Sequence, residues 1–292
     1  MIPLRRPEGW ELLMGARALV RRRLGIDVRR VHVQPRGGTQ TVHSNFDEQQ
    51  VIADHLARFP PAERFVVDIG AADGEVSSNS LSLLQQGWAG VSCELDGDEF
   101  SRLARTCAPF RDAQLVRCRV TPGNVVALLQ ALGVPSEPGL LSLDIDGYDH
   151  EVLDAVLRSF RPGLVVTEIN EKIPPPVRFH VHYREDYAWR SDHYYGHSLA
   201  SVADLAQRHG YALVAVEYNN AFLAPDESGR AGLDAATAYR QGYLDRPDRL
   251  RRLPWNRDVE HLQSLPPEAV VDELRTRFAD RAGQFSLSAD GG

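Results

Sequence analysis

A short glycine-containing loop follows the first strongly apolar run of the sequence. The run RFVVD ends at Asp68, and the loop extends from Gly70 to Gly74. Glycine allows a tight turn and close approach of a ligand, and a helix that begins after such a loop presents free N–H groups. Ala72 occupies the second glycine position of the dinucleotide pattern G-x-G-x-x-G, so the loop alone is only moderately specific. It predicts a site for a small polar ligand.

A carboxylate at the end of the second apolar run supports this prediction. The run GVSCE ends at Glu94, and Asp96 follows it. An acid at the tip of the second strand, about 20 residues after the loop, accepts hydrogen bonds from ribose hydroxyls. The loop and the acid together indicate a cofactor that contains a nucleoside.

Polar side chains also end two later apolar runs. LSLDIDGYDH contains Asp144 and Asp146, and VTEIN contains Glu168 and Asn170. The carboxyl ends of parallel strands share one edge of a sheet, where ligands bind. Because hard oxygen ligands suit Mg2+ or Ca2+, we expect a metal held by Asp144, Glu168 and Asn170.

The segment VRFHVHYREDYAWRSDHYYGH combines histidines with aromatic residues that could wall a pocket. Histidine titrates near neutral pH without special tuning, so it suits the role of general base. His193 is our first candidate for this base, and Asp146 is the second. Two isolated imidazoles in the H-x-H pattern of His180 and His182 are more often pocket or surface residues than a metal pair.

Short apolar runs alternate with helical patterns from Arg64 to His209. Continuous apolar strands separated by helices predict a doubly wound α/β domain with a parallel sheet. The last two runs, YALVAVEY and AFLA, are joined by Asn219 and Asn220, which tolerate positive φ. We therefore expect a seven-stranded Rossmann-like sheet with an antiparallel terminal hairpin.

Two flanking segments differ in composition from this predicted domain, residues 44–225. Residues 1–43 contain a basic stretch, Arg17 to Arg30, which we interpret as a solvated helix rather than a membrane-binding one. Residues 226–292 are polar and contain a helical pattern from Pro267 to Phe278. They are expected to form a lid, a dimer arm or, preferably, a surface appendage, and the final SLSADGG is expected to be disordered.

The composition excludes several classes of protein. A formal charge of −7 disfavours a nucleic acid as the main partner. The three cysteines lack C-x-x-C spacing, which indicates neither a disulfide framework nor a zinc site. No run approaches the roughly 18 apolar residues of a membrane span, and no signal peptide is recognisable. We expect a cytoplasmic protein with a small-molecule partner, with a homodimer as an open alternative.

Taken together, the motifs resemble those of class I S-adenosylmethionine-dependent methyltransferases. DIGAADG is similar to their first motif, CELD resembles their acidic second-strand tip, and the antiparallel hairpin is their hallmark. Within that superfamily the sequence looks most like the FkbM-type proteins and a related bacterial group, over about residues 43–224. The resemblance implies S-adenosylmethionine as cofactor and identifies no methyl acceptor.

The resemblance also implies roles for individual residues. Glu94 would hold the ribose, and Leu95, Val120 and Thr121 would flank the adenine. Asn79 would cap the loop or touch the cofactor carboxylate. The implied cofactor-binding residues are Asp68, Gly70, Ala71, Gly74, Asn79, Glu94, Leu95, Val120, Thr121 and Asp144.

The expected metal ligands are similar to the Asp plus Asp-Asn set with which catechol-type O-methyltransferases hold Mg2+. In this sequence, however, one residue separates Glu168 from Asn170. The alternative is that Asp144 contacts the cofactor ammonium group and the other side chains bind the substrate.

These observations favour transfer of a methyl group to a hydroxyl, or less often an amine, of a small polar metabolite, a sugar or a natural-product intermediate. An NAD-dependent oxidoreductase is the first alternative, but it fits neither the missing glycine nor the hairpin. A non-catalytic, methyltransferase-like nucleotide-binding module is the second.

Overall fold

A seven-stranded sheet forms the centre of the fold in the computed structural model, which describes residues 42–226 and 232–289. The predicted basic helix, Arg17 to Arg30, lies outside the described residues. In chain order the strands are β1 (Glu63–Ile69), β2 (Ala89–Glu94), β3 (Ala113–Arg117), β4 (Pro138–Leu143), β5 (Val165–Glu168), β6 (Arg178–Val181), β7 (Tyr211–Glu217), β8 (Asn220–Pro225) and β9 (Phe285–Ser288). β6 and β9 pair with each other in a separate two-stranded sheet.

The strand order of the large sheet is β3-β2-β1-β4-β5-β8-β7. Neighbouring strands from β3 to β5 pair in parallel, whereas β8 is antiparallel to both β5 and β7. This confirms the predicted doubly wound α/β fold with seven strands and an antiparallel terminal hairpin. The chain reverses its direction of travel across the sheet between β1 and β4, and ligands of such sheets bind outside the carboxyl ends of the strands at that point.

Helices connect most of the strands that follow one another in the chain. In chain order they are α1 (Glu48–Arg58), α2 (Leu81–Gln85), α3 (Gly97–Cys107), α4 (Val125–Ala131), α5 (Asp149–Leu157), α6 (Leu199–Arg208), α7 (Ala235–Tyr239), α8 (Arg249–Arg252) and α9 (Pro267–Arg277). A π-helical turn covers Arg240–Leu244, and a 3₁₀ segment covers Pro254–Ser264.

The central strands are apolar because helices cover both faces of the sheet. Every residue of β4 and β5 is buried. Side chains alternate between the two faces of a strand, so Leu141 and Leu143 enter one hydrophobic cluster while Leu140 enters the other. Each fully buried leucine contributes about 1.5–3 kcal/mol to folding. This core keeps the carboxyl ends of the strands in fixed positions.

The turn between β7 and β8 differs from its prediction. Positive φ was expected at Asn219 and Asn220, but the residue in that conformation is Tyr218, with φ of 50°. Its N–H donates to the Gly242 carbonyl at 3.0 Å, and its ring lies 4.3 Å from the ring of Phe46. Tertiary contacts thus outweigh the local preference of asparagine, and both asparagine side chains are left for other hydrogen bonds.

The described part of the C-terminal region packs on the sheet. Tyr243 and Leu253 are fully buried in the same hydrophobic cluster as Leu141 and Leu143 of β4. Gly242 lies so close to β7 that a Cβ atom there would meet the Val216 carbonyl oxygen at 2.2 Å. The helix predicted from Pro267 is confirmed as α9. A role as lid or dimer arm stays a prediction.

The expectation that SLSADGG is disordered is wrong for its first residues. Ser286, Leu287 and Ser288 belong to β9, which pairs with β6. Pairing with a distant strand supplies the hydrogen bonds that this short segment cannot make locally. Among the helices of the described ranges, none combines the length and the hydropathy required to cross a bilayer.

Candidate active site

The loop after β1 is fixed between the ends of β2 and β4. The N–H groups of Gly70 and Ala71 both donate to the Cys93 carbonyl, at 2.9 and 3.0 Å. Gly70 has φ of +87°, and a Cβ atom there would lie 1.7 Å from the Asp144 carbonyl oxygen. Ala72 and Gly74 also have positive φ, of 48° and 71°. Glycine is therefore required at position 70 by both conformation and contact.

Glu94 connects this loop to the end of β2. One carboxyl oxygen, Oε2, accepts the Ala72 N–H at 2.8 Å, and the other, Oε1, accepts the Asp96 N–H at 2.6 Å. Burial raises the pKa of Glu94, while these backbone hydrogen bonds oppose the increase. Each carboxyl oxygen can accept more than one hydrogen bond, so the group can also accept from ribose hydroxyls.

Asp68 and Asn79 lie on either side of the loop in the sequence, and each forms a hydrogen bond with a serine. The Ser80 hydroxyl donates to Asp68, which is only 6% exposed. Burial raises the pKa of Asp68 to about 6, and the nearby charge of Asp144 adds to this increase. The Asn79 amide donates to the Ser142 hydroxyl at 3.2 Å, which ties the turn before α2 to β4. The two roles expected for Asn79, capping the loop or touching the cofactor carboxylate, stay predictions.

The residues expected beside the adenine have different exposures. Leu95 is 43% exposed directly after Glu94, so its side chain is free to contact a flat ring. Val120 packs in the hydrophobic core, and its carbonyl accepts the Tyr148 hydroxyl at 3.0 Å. The Thr121 N–H donates to the Asn124 side chain at 2.8 Å, at the start of α4.

Three carboxylates meet at the carboxyl ends of β4 and β5. Asp144, Asp146 and Glu168 each place one oxygen within 4.8 Å of the others. Among the described residues this is the one set of His, Cys, Asp or Glu side chains close enough to share a metal ion. The set differs from the predicted ligands because it includes Asp146. We call these three residues the carboxyl cluster.

Asn170, the third predicted metal ligand, holds the segment after β6. Its amide donates to the carbonyls of His193 and Tyr195, at 2.8 and 3.2 Å. Its Oδ1 atom is buried and has no hydrogen-bond partner in the described part of the chain. A role for this oxygen as a metal ligand stays a prediction.

The turn after β4, which contains Asp144 and Asp146 of the carboxyl cluster, is held by hydrogen bonds to Asp149. Asp149 was not identified as a site residue from the sequence. Asp146 has φ of 54°, and its carbonyl accepts the Tyr187 hydroxyl at 2.8 Å. The Asp149 carboxylate accepts the N–H groups of Ile145 and Gly147, both at 2.9 Å. Burial raises the pKa of Asp149 to about 6. The sequence signal for Asp149 was that it is the third acidic residue in the segment LDIDGYD.

His193, the first candidate base, is paired with a residue from the C-terminal region. Its Nε2 lies 3.0 Å from Oδ2 of Asp258, and its side chain is 18% exposed. Burial lowers the pKa of His193, and the Asp258 charge opposes this effect. His193 does not belong to the carboxyl cluster, the set of side chains close enough to share a metal ion. The partnership with Asp258 spans 65 residues and has no signature in the sequence.

Three other histidines, His150, His180 and His197, pack together, with His150 and His197 buried and His180 partly exposed. The rings of His150 and His180 stack at 4.1 Å, and His150 also meets His197 edge-on. Burial lowers the pKa of His180 to about 4 and that of His197 to about 3. These imidazoles are neutral at pH 7. Among the described residues, neither His180 nor His182 belongs to a group of side chains close enough to share a metal ion.

Glu171 and Lys172 join the end of β5 to the C-terminal region. Lys172 is 3% exposed, and its ammonium group contacts the Tyr195 hydroxyl and lies 3.3 Å from Oε1 of Glu171. The same Glu171 oxygen accepts the Asn256 amide at 2.7 Å. Sequence reasoning assigned Lys172 no function. The structure places it in a fully buried polar contact beside the candidate site.

Comparison with known proteins adds the following findings. No protein-family model and no curated protein sequence matches the chain. A precorrin-6y C5,15-methyltransferase from Geobacter metallireducens is 18% identical, with a TM-score of 0.36, over 60% of this chain and 85% of that one. An S-adenosylmethionine-dependent methyltransferase from Clostridium acetobutylicum is 8% identical, with a TM-score of 0.44, over 72% and 97%.

A third similar structure contains a bound cofactor. The magnesium protoporphyrin IX methyltransferase of Synechocystis, crystallised with S-adenosylmethionine, is 11% identical, with a TM-score of 0.40, over 61% of this chain and 77% of that one. All three of these similar structures are methyltransferases. At these identities and TM-scores the likeness does not extend to substrate or mechanism.

Proposed function

We propose that this protein is an S-adenosylmethionine-dependent methyltransferase that acts on a hydroxyl of a small polar metabolite. The contact between the loop after β1 and Glu94 carries the proposal, with the carboxyl group accepting the Ala72 N–H at 2.8 Å. It lies at the carboxyl ends of β1 and β2, beside the point where the strand order reverses. A glycine-containing turn with an acid at the next strand tip supports binding of a nucleoside-bearing ligand there.

The charge of the loop favours this cofactor over NAD. Asp73 lies in the loop and Glu75 follows it, and α2 begins only at Leu81 and has five residues. A pyrophosphate needs helix N–H groups close to it and is repelled by neighbouring carboxylates. A sulfonium with an ammonium group is attracted by them. The antiparallel β8 also departs from the all-parallel order of a dinucleotide-binding sheet.

The position of the carboxyl cluster supports a role in binding the methyl acceptor. Gly70 touches the Asp144 backbone, so the cofactor loop and the cluster are immediate neighbours. Methyl transfer from a sulfonium is an in-line displacement in which the enzyme aligns the two reactants and accepts a proton. We assign Asp146 as the base that takes the hydroxyl proton, and His193, hydrogen-bonded to Asp258, is the second candidate base.

The same cluster has donors that suit a divalent cation. Carboxylate oxygens are the ligands that Mg2+ prefers, and Asp144, Asp146 and Glu168 offer three of them within 4.8 Å of one another. A bound cation would lower the pKa of an acceptor hydroxyl. Full turnover after EDTA treatment would exclude a role for a cation. The carboxylates would then act only as hydrogen-bond acceptors.

Calorimetry tests the cofactor assignment. Wild-type protein is expected to bind S-adenosylmethionine and S-adenosylhomocysteine but not NAD. Glu94→Gln should weaken both by at least about tenfold, because hydrogen bonds to a charged group contribute roughly 1.5–3 kcal/mol. Glu99→Ala is the matched control, since Glu99 is on α3 and pairs with Arg102 on the surface. Unchanged affinity in Glu94→Gln, or binding of NAD instead, would contradict the proposal.

A transfer assay separates an enzyme from a non-catalytic binding module. The purified protein is incubated with methyl-labelled S-adenosylmethionine and a fractionated metabolite extract. Label that moves from S-adenosylmethionine to another small molecule supports an enzyme. Cofactor binding without transfer to any fraction would favour the module.

A further inference from the structure

The turn between β7 and β8 clamps the end of β5. The Asn219 amide donates to Oε1 of Glu168 at 2.8 Å, and the Asn219 carbonyl accepts the Ile169 N–H at 2.7 Å. Glu168 is 9% exposed and belongs to the carboxyl cluster. One residue of the turn therefore fixes both the backbone and the carboxyl group at this strand end.

A side chain from the start of the domain continues this contact. Asn220 Nδ2 lies 3.4 Å from the side-chain oxygen of Asn219 and 2.9 Å from Oε1 of Glu48. Glu48 is the first residue of α1, 172 residues earlier in the chain. We call Glu48, Asn220, Asn219 and Glu168 the polar relay.

The Glu48 end of the relay is rigid. Its second oxygen, Oε2, accepts the Phe46 N–H at 2.6 Å, and its side chain is 1% exposed. The Phe46 ring packs on Tyr218, the residue that precedes Asn219. Burial of a carboxyl group among amide donors is costly, and its benefit is a unique arrangement of the groups that it contacts.

We propose that Glu48, Asn219 and Asn220 are positioning residues of the acceptor site, which hold Glu168 in the carboxyl cluster. The functional meaning of this proposal rests on the proposed methyltransferase function, because that function makes the cluster the acceptor side. The coupling itself is a property of the folded chain and is measurable without an acceptor. The start of α1 is then part of the active site, although no residue of α1 belongs to the carboxyl cluster.

The test follows the Glu168 carboxyl carbon by NMR at one fixed pH in protein labelled with ¹³Cδ-glutamate. Glu168→Gln identifies the signal. Asn219→Ala removes the direct contact, and Glu48→Ala removes the far end of the relay. Both should move the Glu168 signal by more than its line width. Gln50→Ala should not, because Gln50 lies exposed on α1 and contacts Asp54.

Asn219→Asp keeps the size of the side chain but loses the donor, so it serves if the alanine variant does not fold. An unmoved Glu168 signal in Asn219→Asp, or an equal movement in Gln50→Ala, would overturn the proposal. S-adenosylmethionine affinity is measured on the same samples and should stay within about twofold of wild type. A large loss of S-adenosylmethionine affinity confined to the relay variants would show a general effect on the fold and would also overturn the proposal. Absence of binding in wild type would refute the methyltransferase function and leave the coupling result valid.

Discussion

Gly70→Ala tests the geometry that joins the loop after β1 to β4. Alanine at φ of +87° is strained by about 1–2 kcal/mol. Its Cβ would also lie 1.7 Å from the Asp144 carbonyl oxygen, about half of a normal contact. Relief requires the ends of β1 and β4 to separate. That movement breaks the hydrogen bond from the Asp144 N–H to the Ile69 carbonyl.

This hydrogen bond contributes about 1 kcal/mol, so with the strain the total loss in the free energy of unfolding should reach about 2–3 kcal/mol. Gly87→Ala is the matched control, because Gly87 has φ of +79° but its Cβ would meet no atom within 4 Å. It should lose only the strain of about 1–2 kcal/mol. Urea unfolding at 25 °C measures both, and equal losses in the two variants would refute the contact argument. Calorimetry should also show a loss of cofactor affinity in Gly70→Ala alone.

Two further outcomes follow from buried groups. Asp149→Asn should lower the free energy of unfolding by about 1–3 kcal/mol in urea, because an amide cannot accept both N–H groups at the carboxyl-cluster loop; a neutral effect would contradict the bracing role. The folded-state pKa of His197 is lowered to about 3, so its contribution is complete above the unfolded pKa of about 6.5 and is lost as the pH falls below it. Between pH 7.5 and 5.5 this costs about 1.4 kcal/mol, and His197→Gln should reduce the measured loss by that amount. The difference between the two proteins isolates His197, because the buried acids with raised pKa act in the opposite direction in both; equal pH profiles would contradict the assignment.

The fold was predictable because its signals are local and repeated. Apolar runs with continuous burial, such as β4 and β5, predict strands covered on both faces. The glycine-containing loop and Glu94 were identifiable because their spacing along the chain follows from one strand, one helix and the next strand. The acids at the strand ends were identifiable for the same reason, since parallel strands end at a common edge.

The tertiary structure decided which of these side chains meet. Asp146 joins Asp144 and Glu168 because a positive φ, braced by Asp149, directs it into the cluster. Asp258 reaches His193 across 65 residues.

Glu48 reaches Asn220 across 172 residues, an even longer separation. Such pairings depend on how distant segments pack, and neither composition nor periodicity carries that information. The strands and the loop after β1 were therefore determined by the sequence pattern, whereas the partners of His193 and Asn220 were determined by the packing of the C-terminal region and of the α1 start on the sheet.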